Sequence, residues 1–374
     1  MVGVKAIVIG AGAAGAAGAV ALRRIGAEVT VYEAYEDPAG AVGSFVSLAT
    51  NGLRALDALG CLPAVQRAGF AVERQRMWSG RGKLLGDVPR SRRPDEELRS
   101  VTVMRGDLVA LLREEARAAG AKIVTGERMS AQAIRDLAGG ADVLVGADGI
   151  WSATRKVVDA AAPEPRYGAT YHASGVAHGL GMPVGAFNMI FGRNGAFIYL
   201  PAPDGTVWWS AQVSAPTPPR DVRATGVADL IGLYRAEEQA LVVLRAAREV
   251  RSATLDHVLD PVARHRDGPV VLIGDAAHPA GAGQGASMAI EDTVVLARRL
   301  GTERTVAAAL AAYDEERRER TAKLAKSASA NRDAKTAGPV AARIRDLMMP
   351  VFFSRMYPKA TDWLYTYDAG KVTG

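Results

Sequence analysis

The segment Gly10-Ala11-Gly12-Ala13-Ala14-Gly15 follows an apolar run, Lys5 to Ile9, and opens a small-residue stretch, Ala13 to Ile25. That order predicts a strand, a tight turn and a helix. The first glycine permits the turn, the second lets the backbone approach a pyrophosphate, and the third brings helix and strand close together. A helix start offers free N–H groups and about half a positive charge to phosphate oxygens. Glu28 to Glu33 predicts a second strand, which completes a βαβ unit with parallel strands. Glu33, at its end, can accept hydrogen bonds from ribose hydroxyls and would repel a 2′-phosphate. Gly10, Gly12, Gly15 and Glu33 are therefore expected to hold an ADP moiety. This motif alone does not separate FAD from NAD.

The remaining sequence bounds the fold. Its 374 residues are 49% hydrophobic and 23% charged, the composition of a globular chain, which excludes collagen, coiled coil and disorder. This length exceeds what one core usually organises, so two domains are expected. The single cysteine, Cys61, sits between Gly60 and Leu62 and is expected to be a core thiol. Glycines at 10, 12, 15 and 18, with Arg23-Arg24 on the wrong side of the apolar run, argue against a secretory signal. No uninterrupted apolar run reaches the roughly 18 residues of a membrane span, so the expected compartment is the cytoplasm.

The net charge of +6 is concentrated in residues 74–105 and 317–359. Arg317-Arg318-Glu319-Arg320 could meet nucleic acid or anionic lipid, but no zinc-finger, RRM or helix-turn-helix signature accompanies it. A solvated helix face is expected there, and nucleic acid is not expected as a partner. The histidines at 172, 178, 257, 265 and 278 lack metal-ligand spacing, so no metal site is expected.

Further along, Asn51 to Leu59 predicts a short amphipathic helix with Asn51 as a candidate cap, and Asp107 to Ala119 another closed by Gly120. Ala121 to Thr125 and Asp142 to Val145 read as strands, the latter ending in Gly146-Ala147-Asp148-Gly149. Residues 71–96 change character, with scattered arginine, glycine and proline, and predict strands and a loop outside the first sheet. Phe187 to Phe191, Ala196 to Leu200 and Thr206 to Val213 are joined by Asn194-Gly195 and Asp204-Gly205, which suit hairpin turns and imply an antiparallel meander. A helical stretch to about Arg251 follows. Pro269 to Ile273 returns to a buried parallel-type strand, and long helices are predicted at about 287–300 and 304–334.

After that strand comes Gly274-Asp275-Ala276-Ala277-His278-Pro279, then Gly281-Ala282-Gly283-Gln284-Gly285-Ala286-Ser287. Asp275 at a strand end can bond a polyol, and the N–H groups of Gly283 to Ser287 can stabilise negative charge on a ring. A polyol joined to an anion-prone ring describes the ribityl chain and isoalloxazine of a flavin.

Together with Asp148-Gly149, Ser152 and Arg155, these motifs resemble those of the class A FAD-dependent monooxygenases, the aromatic hydroxylases similar to p-hydroxybenzoate hydroxylase. The similarity spans residues 1 to about 300 in the same order. It implies an α/β fold: a Rossmann-like FAD-binding domain of the glutathione-reductase type, interleaved with an antiparallel-sheet substrate domain and followed by a helical C-terminus. Expected boundaries are 1–70, 97–160 and 262–334 for the first, 71–96 and 161–261 for the second, and 335–374 for a tail packed as a lid. The resemblance implies that Gly12, Ala13, Ala14, Glu33, Arg105, Asp275, Gly285 and Ala286 contact FAD. Asp148 would support both that site and reduction by NAD(P)H, and Pro279 would lie near the reacting edge of the flavin, with His278 beside it. Three departures stand out: Ala34 where arginine often follows the ribose-binding glutamate, no basic residue between Arg24 and Arg54, and Ser287 where asparagine is frequent.

The implied activity is hydroxylation of an aromatic or polyketide-like small molecule. NADPH or NADH reduces the flavin, O2 adds, and a C4a-hydroperoxide transfers oxygen. Epoxidation, Baeyer–Villiger insertion or reduction on the same scaffold remain open, as does an FAD-containing ligand-binding protein without turnover. The Trp-x-Trp-x-Ile-Pro segment of flavin halogenases is absent. Asn188, Tyr199 and Trp209 are the expected substrate contacts, with Trp209 facing the pocket and Trp208 facing away. The oligomeric expectation is a monomer or homodimer.

Overall fold

The computed structural model describes residues 3–37, 44–279, 283–335 and 339–372. In the first sheet β1 (Lys5–Ile9) is central. Beside it run β2 (Glu28–Tyr32) and β8 (Lys122–Val124) on one side, and β9 (Val143–Gly146) and β16 (Val270–Leu272) on the other, all parallel. The two-residue β15 (Arg266–Asp267) closes one edge antiparallel. Parallel strands need cover on both faces, and their side chains are apolar on both. Ala6, Val8, Val29, Val31, Val143 and Val145 point to one face, which α1 (Ala13–Arg24), α2 (Thr50–Ala58), α3 (Leu62–Ala68), α4 (Arg105–Ala118), α9 (Gly285–Thr302) and α10 (Val306–Lys335) cover. Ile7, Ile9, Leu144 and Leu272 point to the other, where α5 (Ala131–Ala138) and α6 (Ala153–Val158) lie. Cys61 is buried in the first of these cores, and burial pushes its thiol up to about 11.

A small antiparallel sheet of β3 (Phe45–Leu48), β7 (Ser100–Met104) and β4 (Phe70–Val72) stands next to the first. The seven-stranded sheet runs β14 (Ser252–Val258), β10 (Arg166–Ala177), β13 (Val207–Ser214), β12 (Gly195–Pro201), β11 (Ala186–Gly192), β5 (Arg74–Ser79), β6 (Leu84–Pro89). The expected meander is its centre. Gly195 (φ 134°) and Gly205 (φ 81°) take the left-handed backbone that the two turns demand. The twelve-residue β10 was not legible. Its sequence is rich in Ala and Gly, and a register shift between Tyr167 and Tyr171, with Ala169 at φ 58°, breaks its alternation.

The expected facing of the meander is reversed. Asn188 pairs with Tyr199 and Tyr199 with Trp209, so all three side chains share one face. That face is covered by α7 (Val227–Leu233) and α8 (Glu238–Arg245), which bring Leu230, Val243 and Leu244. Trp209 is 0% exposed and stacks on Phe197 with ring centroids 6.1 Å apart. Tyr234, just after α7, donates hydrogen bonds to the carbonyls of Ala196 and Gln212, pinning the helices to the sheet. Asn188 is equally committed, accepting from the Trp78 indole at 3.1 Å. Asn188, Tyr199 and Trp209 are thus core residues under helices rather than substrate contacts, because a shift of one residue in parity moves a whole strand to the other face. Trp208 takes the opposite face, against Phe45 and Phe70 of the small sheet, at centroid distances of 6.2 and 4.9 Å.

Two further expectations are corrected. Asn51 lies inside α2, not at its cap, and its amide donates to Glu291 at 2.5 Å. The basic run on α10 is not a solvated face, since Arg317 and Arg320 are buried. Arg317 meets Glu291 at 2.8 Å and Asp292 at 2.7 Å, and Arg320 meets Glu291 at 2.8 Å. Arg320 also donates to the carbonyls of Trp363 and Leu364, tying α10 to the C-terminal helix α12 (Tyr357–Tyr365). Between them, α11 (Pro339–Val351) leads into a wide turn over Phe352–Met356. Its Phe353 packs on Met77, Leu85 and Val88 of the large sheet, while Leu364 and Tyr365 pack on Ala49, Met288 and Leu324. The tail therefore touches both halves. Among the described residues no helix is long and apolar enough to cross a membrane.

Truncation of the core tryptophan should separate the two faces: Trp209→Ala should cost about 3–5 kcal/mol in urea unfolding, and Trp208→Ala less than half as much. Equal losses would contradict the facing described above.

Candidate active site

The glycine turn is built by close approach. Gly10 has φ 97°, and a Cβ there would lie 2.5 Å from the Ala147 carbonyl oxygen. A Cβ on Gly15 would lie 1.8 Å from the Gly10 carbonyl oxygen. Both must be glycine for the strand, turn and helix to pack at all. Gly12 differs: its φ of −69° suits any residue, and a Cβ there meets nothing within 4 Å. The space beside Gly12 is thus left open by the protein, at the start of α1, where no side chain caps the helix and no acid sits in the first turn. Ala13 and Ala14 are partly exposed there. Glu33 is buried beside the turn, accepting from the Ala11 N–H at 2.6 Å and from Tyr35 N–H at 3.0 Å. One carboxylate so fixed can still accept from a ribose.

The distant glycine-aspartate motif comes to the same place. Gly274, at φ 57°, ends the segment after β16, and a Cβ on it would come within 3.0 Å of Ala14 Cβ and 3.2 Å of Ala289 Cβ. Gly18 faces Ile273 and Thr293 in the same way. Small residues on α1 thus let the strand end and α9 lie against it. Asp275 is exposed at that strand end, in the first position after Gly274. Gly283 takes φ 74° ahead of Gly285 and Ala286, the start of α9, again with open space where a Cβ would stand. Gly281 and Ala282 lie outside the described residues.

Several side chains hold these loops. Ser287 is buried, and its hydroxyl accepts from the Ala49 N–H at 3.1 Å while filling the space beside Gly52. Asp148 accepts from Ser152 Oγ at 2.5 Å and from both the N–H and hydroxyl of Thr154 at 2.9 Å, so its carboxylate folds its own loop. Arg155, buried, donates to the carbonyls of Ile150 and Ala276, and so ties the Asp148 loop to the Asp275 loop. Burial lowers its pKa, opposed by Asp148. Arg105 is exposed at the first position of α4.

Beneath the second loop, His278 Nε2 lies 2.6 Å from Asp292, which also accepts from the Gly274 N–H at 2.8 Å. Burial alone would raise the Asp292 pKa; the charges of His278 and Arg317 and these hydrogen bonds instead hold it well below the usual carboxylate range. His278 Nδ1 and Gln284 Oε1 are buried and find no partner among the described residues. Orphaned polar atoms of this kind call for a ligand or water. With the open space at Gly12 and Gly283, they fit a dinucleotide whose two ends rest on the two loops. Pro279 is half-buried next to His278. One residue was missed: Arg113 of α4 is buried, its pKa lowered chiefly by that burial and raised by Glu33 and Asp37. It supplies positive charge near Glu33, where the sequence between Arg24 and Arg54 has none. Its only sequence signal is an arginine inside an apolar helix face. Among the described residues no group of metal-ligating side chains is present.

Comparison with known proteins agrees with this geometry. A family model described as FAD binding domain matches residues 3–328. Aurachin C monooxygenase/isomerase of Stigmatella aurantiaca is 31% identical over 337 residues, 85% of this chain and 86% of that protein. 3-Hydroxybenzoate 6-hydroxylase 1 of Aquipseudomonas alcaligenes is 30% identical over 343 residues, 85% of this chain and 86% of that protein. Among solved structures, Klebsiella pneumoniae HpxO complexed with FAD and uric acid superimposes with a TM-score of 0.81 at 23% identity, covering 95% of each chain.

The contrast between the glycines is testable. Gly12→Val should fold with stability within about 1 kcal/mol of wild type yet lose FAD, read as flavin absorbance of the purified protein, whereas Gly10→Ala should lose folded protein. Retained flavin in Gly12→Val would show that the open space is not the phosphate site.

Proposed function

Because the chain belongs to the class A FAD-dependent monooxygenases, we propose that it hydroxylates a small aromatic or polyketide-like compound, consuming NADPH or NADH and O2. It is an oxidoreductase, with FAD as cofactor. Bound FAD would supply the redox chemistry and the activation of oxygen. The protein must hold the cofactor, position the substrate and keep water out. Gly12, Glu33 and the α1 N-terminus would take the ADP end. Asp275 would take the polyol, and the amides of Gly283 to Ser287 the ring, where they can stabilise negative charge.

The observation that carries this proposal is the abutment of Gly274 on Ala14, which sets the two cradles side by side. The substrate would lie between the ring end and the face of the large sheet opposite α7 and α8. That face presents Phe187, Met189, Ile198 and Leu200 with Phe45 and Phe70 of the small sheet, and Trp208 beside them. Such an apolar wall excludes water and suits an aromatic ring.

Purified protein mixed with NADPH or NADH in air should oxidise the cofactor faster when a suitable phenol is added. Asp275→Ala should purify largely as apoprotein, its FAD affinity down by about tenfold or more. A flavin-containing protein inert across a broad panel, or full flavin occupancy in Asp275→Ala, would contradict these assignments.

A further inference from the structure

We propose that helix α11 docks the protein on the surface of an anionic lipid bilayer, its exposed apolar stripe entering the headgroup layer and its flanking cations meeting the lipid phosphates. This goes beyond the monooxygenase assignment and stands independently of it.

Exposed apolar residues are ordinary when scattered and informative when they cluster. Among the described residues ten large hydrophobic side chains are exposed, and five of them lie between positions 344 and 356. Ile344, Leu347 and Met348 of α11 are 54%, 76% and 63% exposed, and Met356, at the end of the wide turn, is 58% exposed. Spacings of three and four residues put the first three on one face of the helix. The opposite side is already used. Met349 of α11 packs with Phe352 and Phe353 of the wide turn against Met77 of β5, Leu85 and Val88 of β6, and Phe191 of β11. The helix is thus fixed to the large sheet by one side and presents the other to solvent.

Charge decides what can cover the stripe. Residues 339–362 hold four basic residues and two acids. Both acids are committed, Asp346 to Arg345 at 2.8 Å and Asp362 to Arg93 at 3.5 Å. Arg345 is itself turned toward the sheet, with its guanidinium 4.5 Å over the Phe191 ring. Arg343, Arg355 and Lys359 are exposed and form no ion pair among the described residues. The solvent side of this segment is therefore apolar and positively charged.

A second copy of the chain fits that side badly. A two-fold contact would set the stripe and its unpaired cations against themselves, doubling the positive charge with no free carboxylate to offset it. A groove on another protein would have to enclose the helix, and α11 is pinned along its other side to β5, β6 and β11. A flat partner needs no such enclosure. A bilayer supplies apolar depth beneath a layer of negative charge, and each basic residue near that layer adds to the attraction. Because β6 is the edge strand, docking through α11 would bring the large sheet to the lipid surface by that edge.

The test is co-sedimentation of the full-length protein with vesicles of phosphatidylglycerol and phosphatidylcholine in equal parts, and with vesicles of phosphatidylcholine alone, read as protein in the pellet. The anionic vesicles should bind about tenfold or more tightly than the neutral ones, and high salt should remove that advantage. Leu347→Glu, at an exposed position, should fold as wild type and weaken binding about tenfold. Joint replacement Arg343→Gln and Arg355→Gln should abolish most of the preference for anionic lipid. Val242→Glu, at an exposed apolar site on α8, should bind as wild type. No binding to anionic vesicles, equal binding to both compositions, or unchanged binding in Leu347→Glu overturns the proposal. So does a dimer in sedimentation velocity that Leu347→Glu dissolves, since the stripe would then be a contact between copies.

Discussion

Helix α1 carries glycine and alanine where it meets α9, and the rest of the structure depends on that closeness. Gly15 and Gly18 remove the side chains that would hold the helix off β1 and Ile273, and Ala14 meets Gly274 where larger residues would collide. Two stretches some 260 residues apart in the chain thereby form one continuous cradle. Glycine in a helix interior costs up to about 1 kcal/mol against alanine. Here that loss is offset by packing that larger residues would forbid. Gly12 meets no such packing demand, and its open space is the one the proposed function gives to the pyrophosphate, whereas Gly283 also takes a left-handed backbone that favours glycine.

A buried ionic network fixes the second half of the cradle. Asp292 holds Gly274 through its N–H and His278 through its ring, and is itself held by Arg317 from α10. Glu291 gathers Asn51, Arg317 and Arg320, and Arg320 reaches the backbone of the C-terminal helix. The loop at Gly274, the long helices and the tail are therefore connected by charge. Removing one member of a buried pair typically costs about 3–5 kcal/mol because the other is left uncompensated. The network is thus rigid as long as it is complete.

The parts legible in the sequence were those whose chemistry is local. A turn that needs glycine, a strand of branched residues and a helix with periodic leucines each announce themselves over about ten residues. Three things were hidden because they depend on what packs against them. The inward face of Val207–Ser214 could not be chosen from alternation alone, and α7 and α8, which settle it, meet the sheet only in three dimensions. Arg317 and Arg320 look like surface charge until Glu291 and Asp292, equally buried, are placed beside them. Asp148 and Ser287 were chosen by motif, and their side chains prove to be occupied in folding the loops.

The idea that one long cofactor is gripped at both ends is tested most directly by titrating apoprotein with FAD, ADP and riboflavin, in wild type, Glu33→Gln and Asp275→Asn. FAD should bind far more tightly than either fragment, Glu33→Gln should weaken FAD and ADP but spare riboflavin, and Asp275→Asn should weaken FAD and riboflavin but spare ADP. Binding of FAD no tighter than ADP, or a loss in Asp275→Asn confined to ADP, would contradict it.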